Sequence, residues 1–204
     1  MSEDTKDYVV YGCGGHARSV ADVILSNDNQ VHLMFVDQNA QPGETIFGFN
    51  VVQKAPENLT GPYIVAIGDS ALRKSIPEQL EVKPDKVIAH DALIAKDAEI
   101  ADGCFIGHQA YIGPLSKIRS GSIVNTRAII EHQVEIGAYS QIAPGATIGG
   151  RTKLGSNVFV GLASTIIDNL TICADVTIGA GAVVVDDITE PGTYVGVPAR
   201  RLNG

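Results

Sequence analysis

The chain has 204 residues and a formal net charge of −8 at pH 7, so it has room for one large domain or two small ones. The negative charge argues against non-specific binding to nucleic acid. The longest apolar runs have the length of strands, so no membrane insertion is expected, and the polar segment Met1 to Asp7 does not fit a signal peptide. Cys13, Cys104 and Cys173 are far apart and match no metal-binding spacing, which favours the reducing cytoplasm.

The first 85 residues alternate between apolar runs and amphipathic segments. The apolar runs predict three strands, and the segments after the first and third strands predict helices. Strands alternating with helices indicate a small parallel sheet, here half of a dinucleotide-binding fold. The predicted elements are, in chain order, a strand over Tyr8 to Tyr11, a glycine-rich turn and helix over GCGGHARSVADVIL, strands over Val31 to Val36 and Tyr63 to Ile67, and a helix from Ser70 towards Leu80 with a break at Pro77.

The glycine-rich turn has the spacing of a nucleotide-binding loop. Gly12, Gly14 and Ala17 fit G-x-G-x-x-G/A, and Asp37 follows Ala17 by twenty residues. In such a loop the amides at Gly14 and Gly15 would face phosphates, and Asp37 would accept hydrogen bonds from a ribose or a base. Because only half of a dinucleotide fold fits, the pattern favours a nucleotide-linked substrate over a redox cofactor. A tight turn without a ligand gives the same pattern.

From Ile88 to Val184 every sixth residue is aliphatic. A period of six fits a coil of three short strands, each with one aliphatic side chain pointing into a triangular core. The residues two places earlier are mostly small, as the corners of a narrow prism require, whereas antiparallel sandwich strands would show turns about every 8–12 residues. The sequence therefore predicts a parallel β-helix with the inward series Ile88, Ile94, Ile100, Ile106, Ile112, Ile118, Val124, Ile130, Ile136, Ile142, Ile148, Leu154, Val160, Ile166, Ile172, Ile178 and Val184.

Glycine often follows the inward aliphatic residue. We interpret these glycines as positions that ease unusual backbone angles where the chain leaves a strand. They are Gly107, Gly113, Gly137, Gly149, Gly155, Gly161 and Gly179.

Three histidines lie two places after an inward aliphatic residue. His108 follows His90 by eighteen residues, which stacks the two side chains one coil apart at about 4.8 Å, whereas His132 lies on a neighbouring face. Stacked histidines can begin a zinc site, or they can be surface side chains. A neutral imidazole at His132 can act as a general base, or it too can be a surface histidine.

Four sequence segments resemble motifs of a known protein family. They are GCGGHA after the first strand, AIGD at the third strand, SIVNTRAIIEH in mid-coil and TYVGVPARRL near the end. With them the chain resembles the hexapeptide-repeat acyltransferases, in particular the bacillosamine-pathway N-acetyltransferases of UDP-4-amino-sugars and the related sialic acid O-acetyltransferases. The resemblance implies an α/β half-Rossmann domain over 1–85 and a left-handed parallel β-helix over 86–204. It also implies a homotrimer with active sites at subunit interfaces, acetyl-CoA as co-substrate and no metal.

The same resemblance implies roles for individual residues. His132 would be the general base, with Gln133 beside it, in direct transfer of an acetyl group to the 4-amino group of a nucleotide-linked amino-deoxy sugar. The product would serve bacterial surface glycans or protein glycosylation. The sugar nucleotide would contact Gly14, Gly15, His16, Asp37, Gln38, Gly68 and Asn125, and acetyl-CoA would contact Gln141, Gly150, Leu162 and Ala180.

Four positions depart from the family pattern. Gln133 stands where an acidic residue usually follows the catalytic histidine, and an amide can orient an imidazole but cannot stabilise imidazolium as a carboxylate does. Gln141 replaces a histidine that contacts acetyl-CoA, and Gln38 and Asp69 stand where Asp and Asn are common, which leaves the nucleotide open. Two alternatives to N-acetyl transfer therefore remain: O-acetylation of a sialic-acid-like sugar, and a metal-binding or structural trimer with zinc at the stacked histidines.

Overall fold

The computed structural model describes residues 8–56 and 59–202. The segment that we expect not to be a signal peptide, Met1 to Asp7, lies outside these ranges. An α/β domain comes first, and a long coil of short strands follows it. Within the described ranges, no helix has both the length and the apolar character needed to cross a membrane.

The amino-terminal domain is built on a five-stranded sheet. Its elements are β1 (Tyr8–Tyr11), α1 (Gly15–Asn27), β2 (Leu33–Val36), β3 (Thr45–Ile46), β4 (Phe49–Val52), β5 (Tyr63–Val65), α2 (Ser70–Ser75) and a 3₁₀ turn over Pro77–Gln79. The strand order is β3-β4-β2-β1-β5. β4, β2, β1 and β5 run parallel, while β3 pairs antiparallel with β4.

The prediction of three strands was wrong because it missed the hairpin of β3 and β4. Phe47 and Gly48 join these strands, and both have positive φ, 52° and 84°. Positive φ at both loop residues is what a type I′ hairpin requires, and Asn-Gly is its usual sequence. Phe47 in place of asparagine hides that signal. The other predicted elements are present, although β2 and β5 are shorter than expected and α2 ends before Pro77.

Helix α1 connects the sheet to the coil. Its residues Ala17, Val20, Ala21 and Ile24 are buried, at the spacing that forms one apolar face of a helix. They share a core with strand residues of the sheet and with side chains of the first coils, including Phe105. The two halves of the chain are therefore packed against each other, and the domain boundary that we predict after residue 85 stays a prediction.

The repeats form three parallel sheets, which we name the first, second and third faces. The first face contains Val87–Ile88, Phe105–Ile106, Ile123–Val124, Gln141–Ile142, Phe159–Val160, Val176–Ile178, Gly192–Val195 and the antiparallel Arg200–Arg201. The second contains Leu93–Ile94, Tyr111–Ile112, Ile129–Ile130, Thr147–Ile148, Thr165–Ile166 and Val183–Val184. The third contains Glu99–Ile100, Lys117–Ile118, Glu135–Ile136, Lys153–Leu154 and Thr171–Ile172.

Four-residue corners join the faces. In the middle coil the first corner is 125–128, between the first and second faces, the second corner is 131–134, and the third corner is 137–140. Every predicted inward aliphatic residue lies in a strand, and those from Ile106 to Val184 are buried in one continuous core. The parallel β-helix predicted from the period of six is confirmed.

Buried hydroxyl groups form hydrogen bonds between successive coils at the corners. Ser116 Oγ donates to Glu131 O at 2.7 Å and accepts from Val134 N at 3.1 Å. Ser140 repeats this arrangement, donating at 3.0 Å to Gly155 O. These small residues therefore satisfy their own polar groups while filling the narrow corners.

The interpretation of the glycines that follow the inward aliphatic residues was wrong. None of the seven has a positive φ, which occurs instead at the third residue of the corners from Gly103 to Gly181, as at Gln109 and Gln133. A Cβ on Gly137 would lie 2.3 Å from the carbonyl carbon of Gly155 in the next coil. Six of these glycines are needed because successive backbones approach closely, and at Gly179 the side chain of Val195 occupies the space instead.

Candidate functional site

A cleft of about 780 Å³ opens at the carboxyl ends of β1, β2 and β5. Parallel α/β sheets characteristically bind ligands at this edge. Six of the seven residues predicted to contact the sugar nucleotide line it: Gly14, Gly15, His16, Asp37, Gln38 and Gly68. The sequence did not identify other lining residues, which include Asn39, Gln53, Lys54, Leu72 and Gln79.

The glycine-rich loop forms one side of the cleft and packs against the loop after β5. Gly12 has φ of 109°, and a Cβ there would lie 2.8 Å from Ala66 O and 2.9 Å from the side chain of Ile67, so only glycine fits. Helix α1 then begins after Gly14, which provides no side-chain cap. Amides in the first turn of a helix have no intrahelical acceptor and are suited to bind a phosphate.

Asp37 ties this loop to the end of β2. Its Oδ2 accepts from Cys13 N at 3.2 Å, and its Oδ1 accepts from Asn39 N at 2.9 Å. Burial alone would raise the pKa of Asp37, but hydrogen bonds from Asn39 and Cys13 hold that pKa below its ordinary value. Asp37 is therefore ionised, and it shapes the cleft through main-chain contacts that sequence spacing did not predict.

His16 lies where the cleft meets the coil. Its ring packs edge to face on Phe105 of the first face, with 5.1 Å between ring centroids. Burial, together with the nearby charge of Arg73, lowers the pKa of His16 to about 4. His16 is therefore neutral at pH 7, and its packed ring forms an uncharged part of the cleft wall.

His132 lies at the second corner, and its two ring nitrogens have different surroundings. Nδ1 is 3.2 Å from Gln133 Oε1, and with that oxygen as acceptor the proton resides on Nδ1 and the lone pair on Nε2. Nε2 lies over Gly150, where a Cβ would be only 2.6 Å away. The glycine one coil later therefore provides the space that the imidazole occupies.

The remaining predicted residues do not gather around His132 within one chain. Asn125 lies at the first corner, where its Oδ1 accepts from Thr126 N at 2.8 Å. Leu162 and Ala180 also lie at the first corner, and Gln141 lies in the first face. Of the four positions predicted for acetyl-CoA, Gly150 alone neighbours the imidazole. The acetyl-CoA contacts stay a prediction.

His90 and His108 lie one coil apart as expected, but their rings are nearly perpendicular, with centroids 6.0 Å apart. Together with Asp91 they could hold a metal ion, since one ligand atom from each lies within 4.8 Å of the others. Three of these ring nitrogens nevertheless have protein partners: His108 Nδ1 is 2.6 Å from Asp91 Oδ1, His108 Nε2 is 3.5 Å from Asp22 Oδ2, and His90 Nδ1 is 3.3 Å from Asn27 Oδ1. Contacts between α1 and the first corner account for this cluster.

Comparison with known proteins gives a consistent result over the whole chain. Residues 7–80 match the family described as the PglD N-terminal domain. The acetyltransferase domain of PglB from Neisseria gonorrhoeae FA1090 matches with a TM-score of 0.89 and 30% identity, over 96% of this chain and 99% of that chain. The same domain in complex with acetyl coenzyme A matches over 96% and 98%, again at 30% identity and a TM-score of 0.89.

A variant of GDP-perosamine N-acetyl transferase from Caulobacter crescentus, in complex with CoA and GDP-perosamine, matches over 100% of both chains with a TM-score of 0.90 and 26% identity. The predicted fold class, an α/β domain followed by a left-handed parallel β-helix, is confirmed. So is the resemblance inferred from the four sequence segments. The chain belongs to the hexapeptide-repeat acetyltransferases that include the acetyltransferase domain of PglB.

Proposed function

We propose that the protein transfers an acetyl group from acetyl-CoA to the 4-amino group of a nucleotide-linked amino-deoxy sugar. The product would enter bacterial surface glycans or protein glycosylation. The observation that carries the proposal is the arrangement of His132, with Nδ1 bound by Gln133 and Nε2 placed over Gly150. The relatives support the two substrates, because the PglB domain binds acetyl coenzyme A and the Caulobacter enzyme binds CoA and GDP-perosamine.

The chemistry is a direct transfer. The amine nitrogen of the sugar attacks the thioester carbonyl carbon, and a C–N bond forms as His132 Nε2 removes a proton from that nitrogen. The C–S bond then breaks, and the proton on Nε2 is available to the departing CoA thiolate. Holding amine and thioester together provides much of the acceleration, and Gln133 keeps the imidazole in the tautomer with a free Nε2.

The cleft of the amino-terminal domain fits the nucleotide part of the sugar substrate. The first-turn amides of α1 suit its phosphates. Lys54, whose cationic side chain lines the same cleft, adds charge complementarity. Gln38, Asn39 and Gln53 offer amide groups for a base or a ribose. Amides both donate and accept hydrogen bonds, so these groups do not select among uridine, thymidine and guanosine nucleotides.

The positions of the cleft and of His132 support a homotrimer with active sites at subunit interfaces. Helix α2, which walls the cleft, contacts the third corner, where Ser70 Oγ donates to Asn157 Oδ1 at 2.6 Å. His132 lies at the second corner, and the third face separates the two corners. The cleft of one subunit would therefore serve the imidazole of another. We place this reaction in the cytoplasm, where the three free cysteines would stay reduced.

Release of free thiol from acetyl-CoA in the presence of UDP-, dTDP- and GDP-linked 4-amino-sugars tests the proposal. We expect turnover with at least one of them, and a fall of about 10²–10⁴-fold in kcat for His132→Ala. His90→Ala, an exposed histidine at another corner, is the matched control and should retain activity.

Three results would contradict parts of this proposal. Undiminished turnover in His132→Ala would remove the imidazole from its role as base. Turnover with a free sialic acid and with none of the nucleotide sugars would favour O-acetyl transfer. No turnover on any substrate, with zinc bound at His90 and His108, would favour the metal-binding trimer.

A further inference from the structure

Arg73 in α2 is a buried cation that the chemistry above does not use. It is 2% exposed, and its guanidinium donates four hydrogen bonds to main-chain carbonyls. Nη1 donates to Ile67 O at 2.7 Å and to Gly68 O at 2.9 Å, Nε to Gly121 O at 2.8 Å and Nη2 to Tyr139 O at 2.9 Å. No carboxylate of the described residues forms an ion pair with it. Burying a charge without an ionic partner is costly. We therefore ask what the planar guanidinium achieves by binding these four carbonyls.

The four carbonyls belong to the two halves of the molecule. Ile67 and Gly68 follow β5 and line the cleft, whereas Gly121 and Tyr139 occupy the third corner in successive coils. One planar group therefore fixes the cleft wall relative to the β-helix. Asp69 caps the amino terminus of α2, the helix that carries Arg73: Asp69 Oδ1 accepts from Leu72 N at 2.9 Å.

Arginine suits this task in a way that lysine does not. The guanidinium holds five N–H donors in a rigid plane, and here it reaches two carbonyls on each side of the domain junction. A lysine ammonium keeps the charge but has one nitrogen on a flexible stem, so it cannot maintain all four distances. Because Arg73 is 2% exposed and four of its five N–H donors bind main-chain carbonyls, it acts on a substrate through the wall that it holds.

We propose that Arg73 is a positioning residue for the sugar nucleotide: by locking the Gly68 wall of the cleft to the third corner of its own β-helix, it presents the sugar at a fixed distance from the imidazole of the neighbouring subunit. This inference rests on the proposed function. A displacement of about 1 Å at a reacting centre can cost about 10²-fold in rate. Loss of the lock should therefore affect the sugar substrate far more than acetyl-CoA.

The experiment compares wild type with Arg73→Lys and Arg73→Met, using Arg119→Met as the control because Arg119 is exposed at the same corner. We expect Arg73→Lys to raise KM for the nucleotide sugar and to lower kcat/KM by about 10- to 100-fold, with KM for acetyl-CoA unchanged. Arg73→Met should lose more. Hydrogen exchange of the amides at 66–69 should become faster in both variants and stay unchanged in the control.

Hydrogen exchange needs no substrate, so it separates failure of this inference from failure of the proposed function. Exchange at 66–69 that stays at the wild-type rate in Arg73→Lys would overturn the locking role, whatever the turnover. Faster exchange with equal losses for both substrates would also overturn the inference, since a general weakening of the fold does not discriminate between them. If Arg73→Met fails to fold, Arg73→Lys alone decides.

Discussion

Replacing Gly150 with alanine should displace the imidazole of His132 and leave the fold intact. The added Cβ would lie 2.6 Å from His132 Nε2 and 2.7 Å from Cε1, whereas carbon contacts are comfortable from about 3.5 Å. The ring must therefore move by about 1 Å. Gly150 does not have a positive φ, so the backbone itself accepts alanine.

The magnitudes separate an effect on catalysis from an effect on stability. Forcing one side chain off its preferred rotamer costs about 0.5–1.5 kcal/mol, which is small beside the total stability of about 5–15 kcal/mol that is typical of folded proteins. Moving a reacting group by about 1 Å can lower the rate by about 10²-fold. We expect Gly150→Ala to reduce kcat by about that factor and to change the urea midpoint only slightly.

The adjacent Gly149 provides a matched control for this experiment. A Cβ at Gly149 would lie 2.4 Å from Asp168 N, a main-chain atom that cannot rotate away, so Gly149→Ala should lose stability by about 1–3 kcal/mol or more. Thiol release measures kcat and both KM values, and urea unfolding measures stability. A folded Gly150→Ala enzyme with near wild-type kcat would refute the assignment of Nε2 as the base.

Side chains near the imidazole and in the cleft give three more expectations. Gln133→Ala should lower kcat about tenfold, the value of one hydrogen bond, and Gln133→Glu should raise kcat/KM because a carboxylate stabilises imidazolium. Burial lowers the pKa of His16 from 6.5 to about 4. Over this pH range the unfolded chain binds a proton at His16 that the folded chain does not bind, so the free energy of unfolding should fall between pH 6.5 and pH 4 by at most about 3 kcal/mol. Urea unfolding of His16→Gln should show a flatter pH dependence. Burial, with Asp37, raises the pKa of Cys13 to about 11, so mass spectrometry should show Cys13 alkylation at pH 8 to be about 10²-fold slower than for a free thiol.

The β-helix could be predicted from the sequence because its geometry is repeated. One inward aliphatic residue in six leaves a single arrangement of strands, and buried members such as Ile130 and Ile136 follow it through the core. The hairpin of β3 and β4 occurs once, and its turn uses Phe47 at a position where asparagine would have been recognised. No periodicity exists to reveal a two-residue strand, so the amino-terminal sheet was only partly predictable.

The candidate site also has one part that the sequence predicts and one part that it does not. The glycine spacing predicts the side of the cleft formed by Gly14 and Gly15, since the loop and helix are adjacent in sequence. Arg73 is different because its carbonyl partners at Gly121 and Tyr139 are 48 and 66 residues away. On a short helix with lysine next to it, this arginine looks like a solvent-exposed residue, and only the packing of the two domains buries it.

The position of His132 shows how a repeat can carry a single functional group. The second corner places one residue of each coil in a column, which contains Lys96, Pro114, His132, Gly150 and Asp168. The repeat determines where these side chains lie but not which they are, so the imidazole is a departure from the repeat and not a product of it. A side chain in this column must share space with its neighbour one coil later, and Gly150 is the neighbour that leaves room for a ring. A histidine followed by glycine at one full coil, eighteen residues later, is therefore a more informative signal than the histidine alone, and His90, followed at that distance by His108, does not show it.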